Sequence, residues 1–143
     1  MSVEQVREAS DRFYAALNQE VGGDATAMLD SWSHGSDVST MHPIGGQQVG
    51  WDDVRATWEM AAGAFADGSV SQRDLRIVVL GDVAYTTGTE VATANLGSTP
   101  ISFSSRCTNI YRREGDAWKM VHHHSDIDPG AVAALQSMME QSG

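Results

Sequence analysis

From residue 70 onward the chain alternates apolar and polar side chains with a period of two, and only short runs of turn formers interrupt the alternation. It predicts four strands, over 70–80, 83–94, 101–113 and 117–126. They are connected by Gly81-Asp82, by Asn95-Leu96-Gly97-Ser98-Thr99-Pro100 and by Glu114-Gly115-Asp116. Connections this short cannot hold a crossover, so the strands form an antiparallel meander. Asp128-Pro129-Gly130 ends the last strand, and 131–139 reads as a short terminal helix.

The first half of the chain carries helical spacing. Val3, Val6, Phe13, Ala16 and Leu17 form a stripe opposite Glu4, Arg7, Glu8 and Asp11, and Gly22-Gly23 stops that helix. A second helix is expected over 24–32 with Asp24 as its N-cap, and a third over 51–65, where Asp52 and Asp53 suit the macrodipole. Between them, 38–41 reads as a strand ending at His42-Pro43, with 47–49 folding back through Gly45-Gly46. Helices followed by a long-stranded sheet make an α+β order, and 143 residues make one domain, 1–143. Three helices cannot cover the whole sheet, so a curled sheet with a pocket on one face and a partner subunit on the other is expected.

Composition narrows the function. The formal net charge is −10 and the nine basic residues are scattered, which excludes a polyanion-binding surface. Nucleic acid and membrane are therefore not expected partners. No apolar run approaches the roughly 20 residues that cross a bilayer, and the first residues lack a basic and apolar leader pattern. The single cysteine, Cys107, allows neither an internal disulfide nor a cysteine-based zinc cage. A cytoplasmic location is the default expectation. No nucleotide-binding glycine pattern or serine elbow is present, and no cofactor is expected.

Several segments occur in a familiar order: Phe13-Tyr14-Ala15-Ala16-Leu17-Asn18, Met41-His42-Pro43-Ile44-Gly45, Gly50-Trp51-Asp52-Asp53-Val54, Asn109-Ile110-Tyr111-Arg112-Arg113, and Trp118-Lys119-Met120-Val121-His122-His123-His124-Ser125. Together they resemble the SnoaL-like branch of the nuclear-transport-factor-2-like superfamily. The resemblance implies a cystatin-like cone, in which a curved antiparallel sheet wraps three N-terminal helices, and a homodimer through the outer face of the sheet. It also implies a small-molecule pocket. Tyr14 lies near the place of the oxyanion tyrosine of ketosteroid isomerases and His42 at that of their general base. Thr108 takes the place of their protonated aspartate, so the isomerase acids are missing.

Strand alternation divides the histidine run. His123 shares a face with Val121 and Ser125, while His122 and His124 point the other way. A metal shared by His122 and His124 with Asp126 is a minor alternative, and no metal site is expected. The register of the resemblance turns His123, Ser125, Thr108 and Arg106 inward. Apolarity alone would turn Ile101, Phe103, Cys107 and Tyr111 inward instead, and the first register is preferred. The expected catalytic residues are then His42, His123, Tyr14 and Arg106. His42 and His123 titrate near neutral pH, Arg106 could fork onto an anion, and Tyr14 could donate to an oxyanion. Trp51, Trp58, Thr87, Thr108 and Ser125 are expected to bind the ligand. Each has a plainer structural role open to it; Arg106, for example, could simply pair with Glu90.

The chemistry this favours is cofactor-independent isomerisation, elimination or cyclisation by general acid–base catalysis. The alternatives are a non-catalytic ligand-binding or association module, and metal-free hydration of carbon dioxide, for which Thr108, Ser125 and His123 must share a face.

Overall fold

The computed structural model describes residues 2–142. Helix α1 (Ser2–Glu20) buries Val6, Phe13, Tyr14 and Leu17, so the predicted stripe is the one that meets the sheet. Helix α2 (Thr26–Asp30) is shorter than expected. Asp24 still accepts the Thr26 N–H (3.0 Å), but Trp32 leaves the helix and runs beside the closing strand as an isolated parallel bridge to Met120. Strands β1 (Ser39–His42) and β2 (Gly45–Val49) form the small hairpin. Gly50, at φ 87°, adopts a backbone that a Cβ would disfavour and opens α3 (Trp51–Ala64).

The long strands are β3 (Phe65–Leu80), β4 (Val83–Leu96), β5 (Thr99–Glu114) and β6 (Ala117–Ser125), followed by helix α4 (Pro129–Ser142). They form the predicted meander, joined by turns of two residues each. Two stretches of turn-forming residues are absorbed into strands. Asp67-Gly68 is an irregularity inside β3, with Asp67 at φ 54°, and Pro100 pairs with Asn95 near the β4–β5 turn.

The sheet order is β2-β1-β6-β5-β4-β3. One pairing is parallel: β1 lies against β6, with Thr40 opposite His123. This attaches the N-terminal hairpin to the end of the meander, making one curved six-stranded sheet around α1 and α3. Phe13, Trp32, Trp58, Trp118 and Met120 fill the space between sheet and helices. No helix among the described residues is long and apolar enough to cross a membrane.

Candidate active site

Two features of β6 place its histidines. The pairing with β5 slips between Ile110 and Tyr111, so that Ile110 faces His122 and Tyr111 faces Met120, and Val121 is the extra residue. The bulge changes the inward phase along the strand: Trp118 and Met120 point in before it, His123 and Ser125 after it. Val121, the extra residue, is half-buried and still packs against the core. His122 and His124 project outward, where the His122 Nδ1 meets the Ser39 hydroxyl at 2.7 Å.

The parallel register puts Thr40 beside His123, and His42, two residues on, emerges on the same inner face. The rings of His42 and His123 are 5.9 Å apart, and Trp58 lies 4.5 Å from the first and 5.7 Å from the second. Burial depresses both imidazoles to about 3; the neighbouring His123 adds to the shift of His42, and His122 and His124 to that of His123. Both rings are neutral at physiological pH. His42 is 7 % exposed, and its Nε2 is buried without a hydrogen-bond partner.

His123 is held from both sides. Its Nδ1 lies 2.6 Å from the Asn109 carbonyl oxygen, which only accepts, so Nδ1 carries a hydrogen. Nε2 of the neutral ring is then an acceptor, 3.3 Å from the Ser125 hydroxyl. Ser125 Oγ is also 2.9 Å from Glu90 Oε1. If Ser125 donates to His123, Glu90 must carry the proton in the second contact. Burial raises Glu90, although hydrogen bonds from Tyr14, Ser125 and Cys107 oppose the shift. The same heavy atoms also accommodate the shifted pattern, with imidazolium donating to Ser125 and Ser125 to a Glu90 carboxylate. One proton can thus pass between Glu90 and His123 through Ser125 without any heavy atom moving.

Tyr14 completes the ring. Its hydroxyl donates to Glu90 Oε2 (2.7 Å) and accepts from Asn109 Nδ2 (3.1 Å) and Gln72 Nε2 (3.2 Å). Burial, reinforced by Glu90 and Cys107, pushes this phenol far above its ordinary range, so it stays protonated. The Cys107 thiol, 3.4 Å from Tyr14, is pushed up to about 12 by burial and by Glu90.

Beside this network lies a cavity of about 70 Å³. Its walls are largely apolar, with Leu17, Val21, Ile44, Phe65 and Phe103 among them, and four polar residues reach it: Glu20, His42, Glu90 and His123. Glu20 is 1 % exposed, and neither carboxyl oxygen has a partner among the described residues. Burial, then the charge of Asp24, pushes it up to about 8. Trp58 also lines the cavity; Tyr14 and Ser125 stand behind it and touch it only through Glu90 and His123.

Four expected site residues are elsewhere. Arg106 projects from the outer face with its side chain 85 % exposed and pairs with Asp126 at 2.7 Å, not with Glu90. Thr108 and Thr87, cross-strand neighbours, lie on that same outer face. The preferred inward register of β5 is therefore corrected: Cys107, Asn109 and Tyr111 face in, because burying them costs far less than burying a guanidinium. The constellation required for carbon dioxide hydration, with Thr108 beside Ser125 and His123, is not assembled. Trp51 stacks on His34 at 4.0 Å and lines a separate surface groove.

Glu20, Glu90 and Asn109 were missed, although the patterns held a signal for each. Glu90 alternates in phase with Ala84, Thr86, Ala92 and Ala94, and Glu20 extends the helical stripe of Phe13 and Leu17. Asn109 has the inward phase once Cys107 and Tyr111 do.

Solved structures place this architecture among known folds. A nuclear-transport-factor-2-like protein from Streptomyces avermitilis, provisionally named a dehydratase, superposes with a TM-score of 0.79 at 26% identity, over 89% of this chain and 96% of its own. A provisionally assigned calcium/calmodulin-dependent protein kinase type II association domain from Thiobacillus denitrificans gives 0.65 at 27% identity, over 85% and 94%. A Caulobacter vibrioides protein with a cystatin-like fold gives 0.71 at 12% identity, over 96% of both chains. The curated proteins give no match. The SnoaL-like domain model matches residues 6–127, which span both histidines and the whole sheet, and the chain belongs to the SnoaL-like domain family.

Proposed function

We propose that this protein is a cofactor-independent acid–base catalyst, a lyase by preference and otherwise an isomerase or cyclase, acting on a small and largely apolar molecule. The observation that carries the reading is His42 Nε2, buried, unpartnered and on the wall of the cavity next to His123. A neutral imidazole there is free to take a proton from carbon. Glu90, on the same wall, holds a proton in the neutral form of the network and can give it to a departing oxygen. In an elimination, the C–H electron pair becomes the new double bond, the proton goes to His42, the C–O bond breaks, and the oxygen leaves as water with the proton of Glu90. Glu90 is left as a carboxylate that accepts from Ser125, and the proton taken by His42 returns to it through solvent, which resets both groups. Both proton transfers use the chain's own groups. The 26% identity to the Streptomyces avermitilis protein supports elimination among the three reactions.

The test is turnover of small β-hydroxy ketones, followed by the ultraviolet absorbance of the conjugated product. The rate should fall about 10²-fold or more in His42→Ala, the usual worth of a positioned acid–base group. Turnover at the wild-type level in both His42→Ala and Glu90→Gln would sink the mechanism.

The similarity to the Thiobacillus denitrificans domain favours a second reading, a non-catalytic module that assembles copies of itself or binds a ligand. Under either reading the outer sheet face, where Tyr85 and Ile110 are cross-strand neighbours, is proposed to pair with a second copy. Sedimentation equilibrium of wild type and Ile110→Glu tests this; a wild-type monomer would exclude it.

A further inference from the structure

The cavity has two kinds of polar group. Glu90 and His123 belong to the closed hydrogen-bond ring, whereas Glu20 has no partner for either oxygen among the described residues. Glu20 is the last residue of α1, at the negative end of the helix dipole. Asp24 adds a further negative charge nearby. Among the described residues no lysine or arginine lines the cavity, and both of its histidines are neutral. A carboxylate or phosphate ligand would meet repulsion from the helix end, from Asp24 and, once ionised, from Glu20. A hydroxyl would satisfy one lone pair. An ammonium supplies up to three donors together with the opposite charge.

We infer that the cavity binds a small apolar amine, with its ammonium group seated on Glu20 and its hydrocarbon body against Leu17, Val21, Phe65 and Phe103. This rests on reading the cavity as the ligand site and adds the substrate class to it. It also gives His42 a defined task, because an amine anchored at Glu20 directs the rest of the molecule along the wall that His42 shares.

Proton linkage gives the inference a signature. In the empty cavity Glu20 holds a proton up to about pH 8. Seating an ammonium ion requires the carboxylate, so binding releases that proton and affinity increases with pH toward about 8. The titratable groups facing Glu20 are Asp24 in the turn after α1, His42 on β1, Glu90 on β4 and His123 on β6. The cavity-lining residues of α3, β3 and β5 carry none. Both histidines are depressed to about 3 and so do not titrate in this window.

The experiment is calorimetric titration of the full chain with butylamine, butanol and butanoate between pH 6 and 8.5. Butylamine should bind with proton release and tighten as pH rises. Butanoate should not bind, and Glu20→Gln should weaken butylamine about tenfold or more while leaving butanol nearly unchanged, as expected for loss of a charge-assisted contact. No butylamine binding, binding independent of pH, or equal affinity in wild type and Glu20→Gln overturns the inference. If Glu20→Gln fails to fold, the wild-type pH series decides alone. Hydroxy-ketone turnover dependent on His42 without amine uptake would refute the amine site and leave the catalytic reading standing. Glu20-dependent amine uptake in a protein whose turnover ignores His42 would do the reverse.

Discussion

Replacing Tyr14 by Phe removes one oxygen and tests the whole buried network. That oxygen donates to Glu90 at 2.7 Å and accepts from Asn109 and Gln72 at 3.1 and 3.2 Å. Gln72 is half-buried and can turn to water, so its loss costs little. Asn109 and Glu90 are buried and cannot. Leaving a buried donor or acceptor unsatisfied costs about 1–3 kcal/mol, which puts the loss for two such groups at about 2–4 kcal/mol after partial relaxation. The assay is urea unfolding followed by tryptophan fluorescence. With a slope of about 2 kcal/mol per molar urea, the middle of the usual range, the midpoint should fall by about 1–2 M with the slope unchanged. Tyr85→Phe is the control: its hydroxyl has one long contact, 3.5 Å from Arg76, and its midpoint should not move. In a double-mutant cycle with Ser125→Ala, which removes the other hydroxyl on Glu90, the two losses should couple by about 0.5–3 kcal/mol. A loss below about 0.5 kcal/mol in Tyr14→Phe would mean that the ring of hydrogen bonds does not form, since even one net hydrogen bond is worth that much.

Arg106→Ala should leave the thermal midpoint and any turnover unchanged, because its ion pair with Asp126 is exposed and lies outside the cone; a drop in turnover would restore a site role for it. His42 and His123 are held near 3 when folded and titrate at an ordinary 6.5 when unfolded, so they cost stability as pH falls from about 6.5 toward 3, up to about 1.4 kcal/mol per pH unit for each ring. His42→Asn should therefore lose less stability than wild type between pH 7 and pH 5 in urea titrations; an equal loss would mean that His42 is protonated in the folded state. At Gly68 an added Cβ would sit 2.7 Å from the Val21 Cβ and 2.9 Å from that of Ala94. Gly68→Ala should cost about 1–3 kcal/mol in unfolding assays, as overpacking does, and a neutral effect would show that the end of α1 does not press on β3.

The sequence by itself determined the local structure. Period-two runs, short turns and helical stripes set the four long strands, the helix α1 that covers them, the His42-Pro43 strand end and the division of the histidines between two faces. Each of those depends on neighbours in the chain. Tertiary structure decided which face turns inward. Alternation gives every strand two faces without saying which one is covered, and the closing of the sheet around α1 chose Cys107 and Asn109 over Arg106 and Thr108 because a guanidinium stays in water. The parallel β1–β6 pairing joins residues more than 80 positions apart, and no local pattern announces it. That pairing brings His42 to His123, and the Val121 bulge sets the phase in which His123 enters. Glu20 and Glu90 read locally as ordinary acids, and only tertiary structure buries them, one with no partner among the described residues and one inside a closed ring of hydrogen bonds.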